Sequence, residues 1–474
     1  MTPCRVIGEN MKQAKDYTAV EKFPIFKGYL DHFNKVSIDN DIPGMLSFFF
    51  VQGQIAVPYV RIPWDTAHLD PRVHCFWIQS SRTGKSIAWE FIGDIMRDCG
   101  LPSEMYTSGT DAGLIGGFEI EEDDGVKTTV LKEGMLAGRK GLNFDEGSII
   151  LNPNRHSQET VLYLQSACNP VGSNGNELVK HTKLGTVRIE SLVSLWITTY
   201  PPRGVKEYVL TKGIFQRVLL YWSHWNLNRR MQVSMTRAAR VYKTTPKMEV
   251  TYEDLTNYFG DREKWLRDKV LELNETSFIE WDSMERKERE DLLQGSMDKM
   301  FSADDNTFYA ALYDAIEDYY GLIEGLSPAI SDVISSFVPA MENNTVVFAT
   351  HMAIMERSWV VTGEHIDMAK EILYDLFKNL ILWLEEEVDI GPKVAEKAAQ
   401  KNKWLLAFQQ VDPVDLGNKG DGWAMKSKVL KVYETQNDCS RGSAYNNFDK
   451  WANAIFQQSK DGRVVFLKLK EDVE

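Results

Sequence analysis

Residues 73–102 read VHCFWIQSSRTGKSIAWEFIGDIMRDCGLP. The run HCFWI is apolar and β-favouring, QSSRTGKS is a polar loop, and IAWEFIGDIMRDCG has helical periodicity stopped by Gly100 and Pro102. A loop between a strand and a helix can bind a triphosphate, because its amides point inward and the helix N-terminus carries partial positive charge. In such loops a lysine reaches the β and γ oxygens, and a Ser or Thr hydroxyl ligates Mg²⁺. Gly84, Lys85 and Ser86 supply that triplet here. The full pattern GxxxxGK[ST] asks for glycine where this chain has Gln79. The expected phosphate loop is Gln79, Ser80, Ser81, Arg82, Thr83, Gly84, Lys85 and Ser86. Its competitor is a surface loop that happens to contain Gly-Lys-Ser, and the strand in front argues against that.

Phosphoryl transfer also needs carboxylates near the metal, one holding its shell and one orienting water. The segment NFDEGSIIL places Asp145 and Glu146 beside apolar residues, downstream of the loop. An acidic pair alone is more often a solvated turn, as in the neighbouring EEDDG.

Around these motifs strands and helices alternate, which implies a mostly parallel sheet. FEIEEDDGVKTTVL reads as a hairpin about an Asp-Gly turn. A helix is expected around 159–167, then a hairpin in VKHTKLGTVRI and a buried strand in SLVSLWITTY. Residues 1–69 read as an N-terminal helical segment, 70–245 as the core, 246–410 as a helical linker and lid, and 411–474 as helix, helix and hairpin in winged-helix order. Residues 303–390 resemble a bundle of three or four helices.

From Met105 to Leu151 the chain reads MYTSGTDAGLIGGFEIEEDDGVKTTVLKEGMLAGRKGLNFDEGSIIL. This resembles the matching stretch of the minichromosome-maintenance (MCM) helicases of the AAA+ superfamily, where a hairpin insert precedes a Gly-rich turn and an Asp-Glu strand. Glu133, Gly134, Leu136, Ala137, Gly141, Asp145 and Glu146 follow that order. The resemblance extends to Lys183 and Gly185, similar to a hairpin that projects into a central channel, and to Arg217 in GIFQRVLLYW, in the place of an arginine finger. It covers residues 70–225 well and the remainder loosely. Departures are Gln79, Tyr200 where the family has a polarising Asn, no arginine in ENNTVVFATH to act as a second sensor, and no large N-terminal DNA-binding domain with a zinc site. They point to a distant member of virus or plasmid type.

The resemblance implies an α/β fold, with an AAA+ P-loop ATPase core on a parallel sheet, a helical lid and a C-terminal winged helix. It implies ATP and Mg²⁺ as cofactors, with Lys85 on the phosphates, Ser86 and Asp145 on the metal, and Glu146 orienting water. Thr199 supplies the sensor hydroxyl, from the candidates Thr198, Thr199 and Tyr200, and Arg217 enters a neighbour's site. Single-stranded DNA is expected in a central channel lined by Lys180, His181 and Lys183, within a homo-oligomer, a hexameric ring, with replication proteins as further partners. Lysines on a hairpin also protect sheet edges.

Composition sets the frame. The chain has 474 residues, a net charge of −14, 43% hydrophobic residues and 13 Trp. Such apolar content supports a substantial core, and the acidic balance gives no overall attraction for phosphate backbones or anionic lipid. Cys4, Cys75, Cys99, Cys168 and Cys439 show no metal-ligand spacing and suit a reducing compartment. Without an apolar span or signal layout, a cytoplasmic protein is expected, in host cytoplasm if viral. The leading expectation is an ATP-driven replicative helicase. Its rivals are an AAA+ remodeller or helicase loader acting on proteins, and a non-hydrolysing structural ring.

Overall fold

The computed structural model describes residues 16–65, 67–106, 111–123, 126–145, 147–152, 158–173, 175–201, 205–206, 210, 213–225, 227–242, 248–304, 307–386, 388–389, 403–414, 416, 422–437, 439–451, 455–461 and 464–470. The fold is mixed α/β. The chain forms two compact units, Met1–Leu326 with Ile330–Asp389, and Ser327–Ala329 with Ile390–Glu474.

Five short apolar runs make the central sheet of the first unit: β1 (Cys75–Gln79), β2 (Ser103–Tyr106), β3 (Gly141–Phe144), β4 (Ser194–Thr199) and β5 (Leu219–Ser223). All pairings are parallel, in the order β5-β1-β4-β3-β2. Every residue of β1, β3, β4 and β5 is buried, as a parallel sheet covered on both faces requires. Because the strands run the same way, their carboxyl ends share one edge. Phe144 stands level with Ile197, Thr199 with Ile78, and Gln79 with Ser223. Loops leaving β1, β3 and β4 therefore meet there, although β1 and β3 never pair.

The helix Asp41–Ala56 is buried along almost its whole length, so it lacks the polar stripe of a surface helix. Its three consecutive phenylalanines point in three directions. Phe48 meets Phe26 (ring centroids 4.7 Å), Phe49 meets Phe348 (4.4 Å) and Phe50 meets Trp196 of β4 (5.6 Å). One helix thus joins the N-terminal helix Pro24–Val36, the later helical region and the sheet. The Nε2 groups of its two buried glutamines are paired, with Gln52 Nε2 donating to His351 O (2.9 Å) and Gln54 Nε2 to Ser194 Oγ (2.7 Å).

The helices expected in 303–390 are Phe308–Ile323, Pro328–Ser335, Val338–Glu356 and Gly363–Glu386. The last covers edge strand β5. Asn379 Nδ2 donates to Trp222 O and its Oδ1 accepts from Trp222 N, both at 2.7 Å, so one side chain takes the place of a neighbouring strand.

Both expected hairpins form, Gly116–Asp123 with Val126–Glu133 and Glu177–Thr182 with Gly185–Glu190. They touch where a Cβ on Gly185 would lie 3.0 Å from the Phe118 ring, an approach that glycine permits. Among the described residues, no helix is long and apolar enough to cross a membrane.

In the second unit a helix over 403–409 precedes Ala424–Met425, the helices Lys426–Gln436 and Arg441–Trp451, and the hairpin Phe456–Asp461 with Val464–Leu469. Ala424–Met425 pairs with Val464–Leu469, giving a three-stranded antiparallel sheet. Trp404 stacks on Tyr433 with ring centroids 3.7 Å apart, and packs with Val429, Phe448, Phe456 and Leu467. The segment 403–409 therefore shares a core with the last fifty residues.

Candidate nucleotide site

The loop after β1 runs from Gln79 into the helix Lys85–Asp98, the strand, loop and helix expected from the sequence. Gly84 precedes the first helical residue with φ +101°, and a Cβ there would lie 2.7 Å from Ser37 Oγ. The N-cap residue Gly84 offers no side-chain acceptor to the first amides of this helix.

The loop is held from below. Asn40 Nδ2 donates to Thr83 O (2.9 Å), Ser37 Oγ to Gly84 O (3.2 Å) and Thr83 Oγ1 to Ser80 O (2.8 Å). Gln79, which stands where the phosphate-loop pattern has glycine, is fully buried. Its Nε2 donates to Asn40 Oδ1 at 3.1 Å, and its Oε1 accepts from the Trp77 indole. The departure from glycine is thus a brace, directed away from the space that a phosphate would use. Replacing Gln79 with glycine should cost about 1–3 kcal/mol, through two lost buried hydrogen bonds and a freer backbone. The check is the thermal midpoint, which should fall while nucleotide affinity fails to improve; an unchanged midpoint with tighter binding would refute the brace.

Lys85 lies 9% exposed. Its ammonium donates to the carbonyls of Gln79 and Ser80, and sits 4.6 Å from the centroid of the exposed Tyr200 ring. Burial pulls its pKa down to about 8, against the opposing charge of Asp145. Around it is a cavity of about 600 Å³ lined by Ser81, Arg82, Thr83, Gly84, Ser86, Ile87, Asp145, Tyr200 and Arg237.

Asp145 follows β3 and accepts a 2.5 Å hydrogen bond at Oδ1 from Thr198 Oγ1. Strand alternation sends Thr199 to the opposite face from Thr198, so the hydroxyl brought to the acid is that of Thr198 rather than Thr199. Glu146 lies outside the described residues.

Asp145 and the exposed Ser86 offer oxygen donors of the kind Mg²⁺ takes, a carboxylate and a hydroxyl, at one cavity. The donor set fits a magnesium-bound triphosphate.

Arg217 stands just before β5, at the amino edge of the sheet and opposite the loop. It donates to Asn169 Oδ1 (2.5 Å) and Gly213 O (2.6 Å), and lines a separate cavity of about 110 Å³ with Asp70, Arg72 and His74. The chain does not bring Arg217 to its own Lys85. Lys183 is exposed at the tip of the second hairpin, His181 is exposed with Nδ1 3.0 Å from Thr186 Oγ1, and Lys180 is half-buried.

Ser37, Asn40, Arg230 and Arg237 are contributors that the sequence did not single out. Arg230 Nη2 donates to Ser80 Oγ (2.8 Å) from the helix Leu227–Tyr242. The run LNRRMQVSMTRAARVY was a visible signal of a basic helix, but nothing in its spacing tied it to the loop. Neither a protein-family profile nor a curated protein matches the chain.

Proposed function

We propose that this chain is a ring-forming ATP-driven DNA translocase with a P-loop core of the AAA+ class. The observation that carries the reading is the convergence of Lys85, Ser86 and Asp145 on one cavity at the edge where β1, β3 and β4 end. Ligands of open α/β sheets bind at that edge.

In this reading the loop amides and Lys85 hold the β and γ phosphates, and Ser86 and Asp145 hold the metal. Bound Mg²⁺ supplies charge neutralisation on the phosphoryl oxygens. Thr198 fixes one oxygen of Asp145 and so orients the carboxylate. Glu146, the next residue, orients the attacking water. Arg217, on the opposite sheet edge from its own loop, serves the site of an adjacent copy, which makes hydrolysis depend on assembly. Lys180, His181 and Lys183 track a single strand through its phosphates. The order of elements in the second unit suits a winged helix, with Arg441–Trp451 as the helix presented to a partner.

A second reading, a remodeller acting on protein, is favoured by the acidic sequence EIEEDD at 119–124, in the expected first hairpin, which would repel a phosphate backbone. Steady-state ATPase with and without single-stranded DNA separates the two. Stimulation by DNA that is lost in Lys183→Ala, with assembly intact, is the expected result. Glu146→Gln should bind ATP and fail to hydrolyse it. Hydrolysis indifferent to DNA in the assembled protein would remove the translocase reading.

A further inference from the structure

The helix Leu227–Tyr242 carries four arginines, and three of them hold it in place. Arg229 pairs with Asp39. Arg230 donates to Ser80 Oγ and to Trp225 O (3.1 Å). Arg240 donates to the carbonyls of Asn34 (3.0 Å) and Lys35 (2.9 Å), at the end of the helix Pro24–Val36. The helix is thereby fastened both to the loop and to the segment that braces the loop.

Arg237 is the exception. It lies two helical turns beyond Arg230, and so on the same side of the helix. It lines the Lys85 cavity. Among the described residues it has no hydrogen-bond or ion-pair partner.

We propose that Arg237 binds the phosphate chain of the nucleotide from the same protomer as Lys85, as a second cation of the site. This rests on the triphosphate reading of the cavity. The other charged groups facing the cavity are Arg82, Lys85 and Asp145. A guanidinium matches two phosphate oxygens with parallel N–H groups, which an ammonium cannot do. Because the helix is already anchored to Ser80, little ordering remains to offset the contact. Arg237 also makes the helix a sensor of the phosphates, since it leads from the last strand of the sheet into the helical region.

The test uses the full chain with Mg²⁺, and competition of ATP against a fluorescent ATP analogue. Arg237 is exposed, so Arg237→Ala should keep the thermal midpoint. It should bind ATP about 10-fold or more weakly, with Arg237→Lys recovering only part of the loss. Mixing Arg237→Ala with Lys85→Ala protomers before assembly should restore no turnover, because both cations must come from one chain. Arg237→Ala with ATP affinity within twofold of the unmodified protein overturns the inference and leaves the triphosphate site standing. Restored turnover in the mixture overturns it too, by assigning Arg237 to a neighbour's site. Failure of the unmodified protein to bind ATP overturns both.

Discussion

Replacing Lys85 by alanine is expected to weaken ATP binding about 100-fold and to lower turnover by a further 10²–10³-fold or so. The size follows from what the ammonium does, since it is the cation seated inside the loop and a charge-assisted bond to phosphate is strong. Loss of folding would not explain the result. Burial holds the Lys85 pKa at about 8, below the usual lysine value, so the charged side chain opposes folding. That cost is fully present below about pH 8 and lifts as pH rises toward the unfolded lysine value. The alanine variant should therefore melt no lower than the parent.

The same depressed pKa gives ATP binding a pH dependence. Only the ammonium form attracts phosphate, so affinity should fall as pH rises through about 8, and binding near that pH should take up protons. Titration calorimetry in buffers of different ionisation enthalpy reads that uptake directly. Affinity that stays flat from about pH 7 to about pH 10, or survives Lys85→Ala, would remove Lys85 from the site.

The parts of this site that were legible in the sequence are those whose chemistry is local. Gly84, Lys85 and Ser86 are consecutive, and the strand and helix around them announce themselves by apolar pattern. Asp145 stands beside a short apolar run, a setting that alone fits a solvated turn, and it is the resemblance of the 105–151 stretch to the MCM helicases that singles it out. The parallel sheet followed from alternation of elements and from strands apolar on both faces. What escaped depends on distance in the chain or on strand parity. Asn40 and Thr83 are 43 positions apart and Arg230 and Ser80 are 150 apart, and no periodicity links either pair. Choosing between Thr198 and Thr199 requires the face each takes on β4, and a single-residue change of register inverts it. Gln79 looked like a defect in a motif because its partners, Trp77 and Asn40, are visible only once the loop is folded. Trp404 stacks on Tyr433, almost thirty positions later, so no local pattern shows which core it joins.

The largest effect on stability should come from Asp70→Ala, at the sheet edge away from the Lys85 cavity. Arg72 is fully buried, and its guanidinium donates to Asp70 and to the carbonyls of Ala167, Asn169, Ser191 and Val193 at 2.6–3.0 Å. Burial alone would raise the Asp70 pKa, but the Arg72 charge, its hydrogen bonds and the Val171 amide hold it well below the usual carboxylate range. Its stabilising contribution is therefore present at neutral pH and is lost as pH falls below about 4. Removing the carboxylate leaves Arg72 buried without a counter-charge, at a cost of about 3–5 kcal/mol. Replacing both residues by apolar ones should not rescue the fold, because each of the four carbonyls would lose a donor. As a control, breaking the exposed Arg97–Asp94 pair should cost well under about 1 kcal/mol. Thermal unfolding followed by tryptophan emission should show a drop of roughly 5 °C for Asp70→Ala, and a parental midpoint would show that the pair is dispensable. The damage should also reach the Lys85 cavity. Ser191 and Val193 lead directly into β4, whose far end carries the Thr198 hydroxyl that orients Asp145, so a loosened amino end of that strand should weaken the hold on the carboxylate.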